Sequence, residues 1–427
     1  MRGPRVASDP AIPERPSDAA AGVTAASSPG ELLAPRPGVA GPLAPARPAP
    51  PEEPLRLPSA ARAEPDEHAR YRTSRHFGAL DGLRALAILA VLWHHTVGGP
   101  GRLGANLFFL LSGFLVTTIL VREAQRTGTV AVARFRARRA RRLYPLYFAA
   151  LAGYVVLVAW LEPPGPTRAA FFENLPAFAT FTSNLLVGLE GERVIFYFAW
   201  SLAAQEQFYL VWPLFLKHCD ARTSAGAAAS LLLTAYLTRV GLFDLALPAG
   251  SFLRTLVLSL LPAILLGALL ALALDSRRGH TTLRRTLGGR WTAAILLALV
   301  LAIWRSPWVP EAGMHLALAA LVAACVVRED HVLARILRWR PLVHVGTVSY
   351  GIYLLHMLCH NAVERGLTRL EAHRPVLDFA LTAALAVLVA TLSQRHFECR
   401  FLAADKRSRG APARTEPASI QDRSGAP

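Results

Sequence analysis

Arg84 and His95 stand eleven residues apart in the run from Leu80 to His95, which is otherwise apolar except for Asp81 and His94. An imidazole titrates near neutral pH and can take a proton from a hydroxyl, while a guanidinium stays charged and holds anions or developing negative charge. At about 100° per residue, eleven helical steps return to within about 20° of the start, so the two side chains share one face, with Asp81 close to it. A rise of 1.5 Å per residue separates them by about 16 Å, which excludes direct contact. They mark two points along one buried path. His94 lies about 100° around the helix from His95 and reads as a packing or interfacial residue.

The surroundings of such a helix follow from composition. Of 427 residues, 53% are hydrophobic and 18% charged, and the mean hydropathy is +0.34, the balance of a membrane protein. The formal net charge of +17 comes mostly from Arg between apolar segments, the pattern of loops retained in the cytoplasm, so no nucleic-acid partner is expected. Cys219, Cys325, Cys359 and Cys399 are far apart and have no metal-ligand spacing, so free thiols and no metal are expected.

Apolar runs long enough to cross about 30 Å of hydrocarbon recur from Ala79 onward. We count ten, at 79–98, 104–121, 144–161, 199–216, 225–243, 253–274, 291–306, 311–327, 342–361 and 376–395. The connection 122–143 carries Arg122, Arg126 and six further arginines from Arg134 to Arg142, whereas 162–198 carries only Arg168 and Arg193. The positive-inside rule then predicts both termini in the cytoplasm, although Arg365, Arg369 and Arg374 in the loop 362–375 fit it less well. The expected fold is an all-α bundle of about ten transmembrane helices, multi-pass in the bacterial cytoplasmic membrane. Residues 1–74, rich in Pro, Ala and Arg, and residues 403–427 are predicted to be disordered cytoplasmic tails. The first tail lacks the apolar core of a signal peptide, so the first apolar helix is expected to stay in the mature protein.

An ionisable group at membrane depth costs about 2.5–3.5 kcal/mol on insertion scales and therefore faces protein or water. From the helix alone, an interhelical packing bond for His95 and snorkelling of Arg84 to headgroups explain the pattern as well as chemistry does. Ser112 next to Gly113 suggests close helix packing, and no Gly-x-Ser-x-Gly elbow accompanies it.

Five separated motifs resemble those of the integral-membrane acyltransferases (acyltransferase 3 type) that include O-antigen O-acetyltransferases and macrolide acyltransferases. Leu80 to His95 looks like the family's opening helix, with its Arg and His eleven residues apart. Gly104 to Leu115 is similar to its second helix, and Arg138-Arg139-Ala140-Arg141-Arg142-Leu143-Tyr144-Pro145 to its basic entry into the third. Trp200-Ser201-Leu202 through Gln207-Phe208-Tyr209 and Ser349-Tyr350 through Tyr353-Leu354-Leu355-His356 resemble two later elements. The likeness covers about residues 76–402, so 75–402 is expected to be one transmembrane acyltransferase domain. Two departures stand out. Gln205 replaces the carboxylate expected five residues after Trp200, with Glu206 about 100° around if helical; and Glu398-Cys399-Arg400-Phe401 stands where the family often has Glu-Arg-Pro-Phe.

The resemblance implies an acyl-CoA donor, acetyl-CoA being the expected one, and a hydroxyl-bearing acceptor such as a glycan, glycolipid or secondary metabolite. Arg138, Arg139 and Arg142 are the expected donor-binding residues, because Arg forks pair with phosphate oxygens. His95 is the expected general base, an acyl-His intermediate being the alternative, with Arg84 either holding the donor at the cytoplasmic mouth or stabilising negative charge. Glu206, Tyr350, Tyr353 and His356 are candidate acceptor-site residues that could equally tie helices together. Two other classes fit part of the pattern: a proton-coupled transporter, for which no internal repeat is seen, and an inactive membrane sensor or scaffold, which Gln205 would suit. No appended soluble esterase-like domain is expected.

Overall fold

Leu, Ala and Arg are among the strongest helix formers and dominate this sequence. Accordingly, every regular element among the described residues is helical. The computed structural model describes residues 67–74, 76–99, 102–188, 194–306, 308–371 and 374–401. The predicted tails therefore lie outside the described residues, apart from 67–74.

Helices α1 (Glu67–Thr73), α2 (Gly78–Thr96), α3 (Arg102–Thr127) and α4 (Val132–Leu161) follow one another. Three short helices, α5 (Pro166–Glu173), α6 (Leu175–Ala179) and α7 (Ser183–Leu186), lead to α8 (Ala199–His218) and α9 (Ala221–Arg239). Next come α10 (Phe252–Ser259), α11 (Pro262–Asp275), α12 (Arg277–Leu287), α13 (Thr292–Arg305), α14 (Glu311–Val327) and α15 (Ala334–Leu337). The last are α16 (Arg340–Thr347), α17 (Ser349–Arg369) and α18 (Pro375–Ser393), the last extended by a π-helical turn at Gln394–Glu398.

Each of the ten apolar runs contains a helix, but two of the runs are broken. The run 253–274 splits into α10 and α11, bent by 51°, and 342–361 splits into α16 and α17, bent by 77°. Among the described residues three helices, α3, α4 and α18 with its extension, are long and apolar enough to cross a membrane singly, rising to seven spans if each bent pair counts as one. The break before α11 has a local cause, since Pro262 at its first turn has no N–H to continue the ladder. Arg239 on α9 meets the freed carbonyls, donating from Nη2 to the oxygens of Leu258 and Leu260, each at 2.9 Å.

Two expectations about the ends of these runs need correction. Residues 67–73, assigned from composition to a disordered tail, form α1, whose His68 and Tyr71 are buried. The basic connection 122–143 is largely helix: α3 continues to Thr127, and α4 starts at Val132, so the arginines from Arg134 to Arg142 ride on α4. Alternating Ala and Arg favour helix over loop.

The core is built around α2 and α3. Leu80, Leu83, Ile88 and Leu92 of α2 are all buried, and α2 packs against α3, α16, α17 and α18. Small residues allow these approaches. A Cβ on Gly113 of α3 would overlap the carbonyl of Ile264 on α11, and one on Gly267 would overlap the carbonyl of Leu110 in return. Gly346 of α16 similarly meets the Asp81 carbonyl of α2. The packing reading of the Ser112-Gly113 pair holds for the glycine, while Ser112 takes a hydrogen bond from Gln205 at 2.7 Å.

Candidate active site

The helix α2 carries one polar station near each end. Asp81 in its first turn is favourably placed at the positive end of the helix dipole. Its carboxylate meets Arg84 Nη1 at 3.7 Å, one turn on, and His76 Nε2 at 3.3 Å. Arg139 and Arg142 of α4 and Tyr209 of α8 lie within electrostatic reach of Arg84. Three guanidiniums thus converge at this end.

The expected donor arginines divide by their contacts. Arg139 and Arg142 lie within electrostatic reach of Arg84, whereas Arg138, about 100° from Arg139 and about 40° from Arg142 around the helix, meets the buried Glu123 of α3 at 4.0 Å. Arg139 stacks on the Tyr209 ring, 3.3 Å from its centroid, and its Nε is 3.6 Å from Glu206 Oε1. That buried Nε has no hydrogen-bond partner. Glu206 also takes a long hydrogen bond from the Tyr144 hydroxyl at 3.5 Å. The carboxylate that helical geometry turns away from position 205 therefore still faces the basic cluster. Gln205 itself forms a neutral contact set, donating to Ser112 and to the Tyr209 hydroxyl.

The second station surrounds His95 in the last turn of α2. The Tyr197 hydroxyl lies 3.1 Å from its Nδ1 and 3.3 Å from its Nε2. On another side the His356 ring of α17 lies 5.1 Å away between centroids, inclined by 36°. His94 is engaged elsewhere, its Nδ1 donating to the Gly99 carbonyl at 2.6 Å. His356 is buried and donates from Nδ1 to the carbonyl of Tyr353 at 2.5 Å. The Tyr353 hydroxyl lies 2.5 Å from Ser201 Oγ of α8 and 3.2 Å from the Phe198 carbonyl, which joins α17 to α8.

The four residues expected at the acceptor thus have different surroundings. His356 and Tyr353 stand at the His95 station, while Glu206 stands at the arginine station. Tyr350 donates to the Leu143 carbonyl at 2.8 Å and ties α17 to α4.

Sequence reasoning missed Tyr197. It lies outside any helix, between Phe196, whose φ is +65°, and Phe198. The aromatic run immediately before Trp200-Ser201 was its only signal. Tyr197 also lines a cavity of about 550 Å³ between α4 and α17, together with Tyr154, Val158, Phe196, Met357 and Asn361.

Fold and site together define a membrane protein, helical in every regular element among the described residues, with an arginine cluster near one end of α2 and a half-buried imidazole near the other. The chain belongs to the acyltransferase 3 family, whose family model, described as an acyltransferase domain, matches residues 77–395. Among curated proteins it is similar to YrhL of Bacillus subtilis (strain 168), a candidate peptidoglycan O-acetyltransferase by name, at 31% identity over 66% of this chain and 48% of YrhL. The peptidoglycan O-acetyltransferase OatA of Listeria monocytogenes is 27% identical over 76% of this chain and 55% of OatA. A candidate O-acetyltransferase of Staphylococcus aureus (strain COL) is 26% identical over 78% of this chain and 58% of that protein. The chain spans about half the length of these relatives. No solved structure matches it.

Proposed function

We propose that this chain is an O-acyltransferase of the bacterial cytoplasmic membrane, multi-pass with both termini inside, that moves an acetyl group from acetyl-CoA to a carbohydrate hydroxyl. The observation that carries this reading is the division of α2 into two stations about 16 Å apart, cationic at Arg84 and imidazole at His95. Coenzyme A is built in the same way, with phosphates at one end and its thioester at the other. Family membership favours an enzyme over a carrier, and the O-acetyltransferase names of the relatives favour a glycan acceptor over a small metabolite.

Arg84, Arg139 and Arg142 would hold the phosphates. The Nε of Arg139, ion-paired with Glu206 at 3.6 Å but without a hydrogen bond, leaves a donor for a phosphate oxygen. His95 takes the proton of the acceptor hydroxyl as its oxygen attacks the thioester carbonyl. The C–O bond forms, the C–S bond breaks, and the imidazolium returns the proton to the leaving thiolate. The Tyr197 hydroxyl, beside His95, is placed to orient the ring or to donate to the oxyanion.

The test is acyl transfer by the full chain in nanodiscs, from labelled acetyl-CoA to a soluble peptidoglycan-type oligosaccharide, compared with His95→Ala. The expected result is labelled ester in the wild type and none above background in the variant. Full transfer by His95→Ala at equal protein level would remove His95 from the mechanism. Longer acyl-CoA donors in the same assay define the acyl length.

A further inference from the structure

His356 is 1% exposed, yet only one of its ring nitrogens is engaged. Its Nδ1 lies 2.5 Å from the Tyr353 carbonyl, and because a carbonyl only accepts, Nδ1 carries the hydrogen. In the neutral ring Nε2 is then a lone-pair acceptor. Nε2 is buried and has no hydrogen-bond partner. Buried acceptors left unpaired are uncommon, and each calls for a partner.

His95 supplies what that nitrogen lacks. An imidazole nitrogen stands about 1.1 Å from its ring centre, so two rings joined by an N–H···N bond of about 2.9 Å have centres about 5.1 Å apart. The observed centroid separation is 5.1 Å. The separation leaves room for such a bond once a nitrogen of each ring lies on the line between the centres. Rotation of His95 about Cβ–Cγ, a broad torsion, aims an N–H at Nε2. Tyr197 does not choose between the His95 tautomers, since its hydroxyl is 3.1 Å and 3.3 Å from the two nitrogens. The other imidazoles nearby are already engaged. His94 bonds the Gly99 carbonyl, and His360 Nδ1 lies 3.2 Å from Asp378.

We infer that His356 is a positioning residue for His95, accepting a hydrogen bond at Nε2 from one His95 nitrogen so that the other presents its lone pair to the acceptor hydroxyl. This rests on His95 being the base proposed above. The backbone carbonyl of Tyr353 fixes His356, and His356 fixes His95. The hydroxyl proton goes to His95 and on to the leaving thiolate, while His356 keeps its Nδ1 hydrogen and gains no proton.

The nanodisc assay with labelled acetyl-CoA and a peptidoglycan-type oligosaccharide tests this through three variants. His356→Phe keeps the ring bulk without the acceptor, and kcat is expected to fall by about thirtyfold or more with KM for acetyl-CoA within about twofold. In His356→Gln the side-chain oxygen can stand where Nε2 stood, so much of the rate returns. His356→Asn reaches only the Nδ1 position and stays as slow as the Phe variant. Full activity in His356→Phe overturns the inference. So do equal rates for Gln and Asn, a comparison that decides the matter even where the Phe variant does not accumulate. An inert His95→Ala beside a fully active His356→Phe removes the dyad alone, whereas an active His95→Ala removes the base and the dyad together.

Discussion

The Tyr197 hydroxyl stands within hydrogen-bonding distance of His95 although 102 residues separate them in the chain. It joins the segment before α8 to the last turn of α2, the two parts that bring an aromatic hydroxyl to the imidazole. A hydrogen bond of this kind contributes about 0.5–1.5 kcal/mol, which corresponds to about a two- to tenfold rate effect. Tyr197→Phe is therefore expected to lower kcat by about that factor with unchanged protein level. A much larger loss in steady-state kinetics would show that the hydroxyl acts on the oxyanion rather than on ring orientation.

The partition of the arginines on α4 predicts a split in donor affinity. Arg139→Ala removes a charge-assisted contact, so KM for acetyl-CoA should rise about tenfold or more. Arg138→Ala, whose guanidinium faces Glu123, should leave that KM within about twofold. Equal effects of the two substitutions on KM would mean that the donor phosphates do not distinguish Arg139 from Arg138.

Close approach of α3 and α11 depends on Gly113, where an added Cβ meets the Ile264 carbonyl. Gly113→Val should cost about 1–3 kcal/mol or more, because backbone cannot yield as a side-chain tip can. The expected reading is a lower Tm in detergent and reduced membrane accumulation. An unchanged Tm would mean that α3 and α11 can separate at no cost.

Arg239 donates to two carbonyls at the α10–α11 break. Arg239→Met would leave both without this partner, at about 1–3 kcal/mol for each that stays buried and unpaired. Thermal unfolding should begin earlier, while donor affinity, proposed to rest on residues of α2 and α4, stays the same. A change in KM for acetyl-CoA without a change in Tm would contradict this separation of roles.

Much of the arrangement can be read from residue order. Helical periodicity by itself puts Arg84 and His95 on one face about 16 Å apart, and apolar length marks ten runs that each hold a helix. The extent of helix was misjudged where polarity suggested loop or tail: charge says nothing against helix, and Ala and Arg both favour it, as α1 and the start of α4 demonstrate.

The bend at Val348 was not legible, because an apolar run looks the same whether straight or bent; at the break before α11, Pro262 was a local signal within the run 253–274 that its apolar character masked. What surrounds His95 was equally hidden. Tyr197 and His356 come from two segments far from α2 in the chain, and contacts across such separations depend on how helices pack, not on local pattern. The sequence by itself determined that one helix carries Arg84 and His95, the proposed cation and base, on one face, since periodicity is a local property of the backbone. Only the tertiary structure decided their partners: Tyr197 and His356 for His95, and Arg139 with Arg142 for Arg84. Those partners come from α4, α17 and the segment before α8, and how these pack on α2 is not a local property of the backbone.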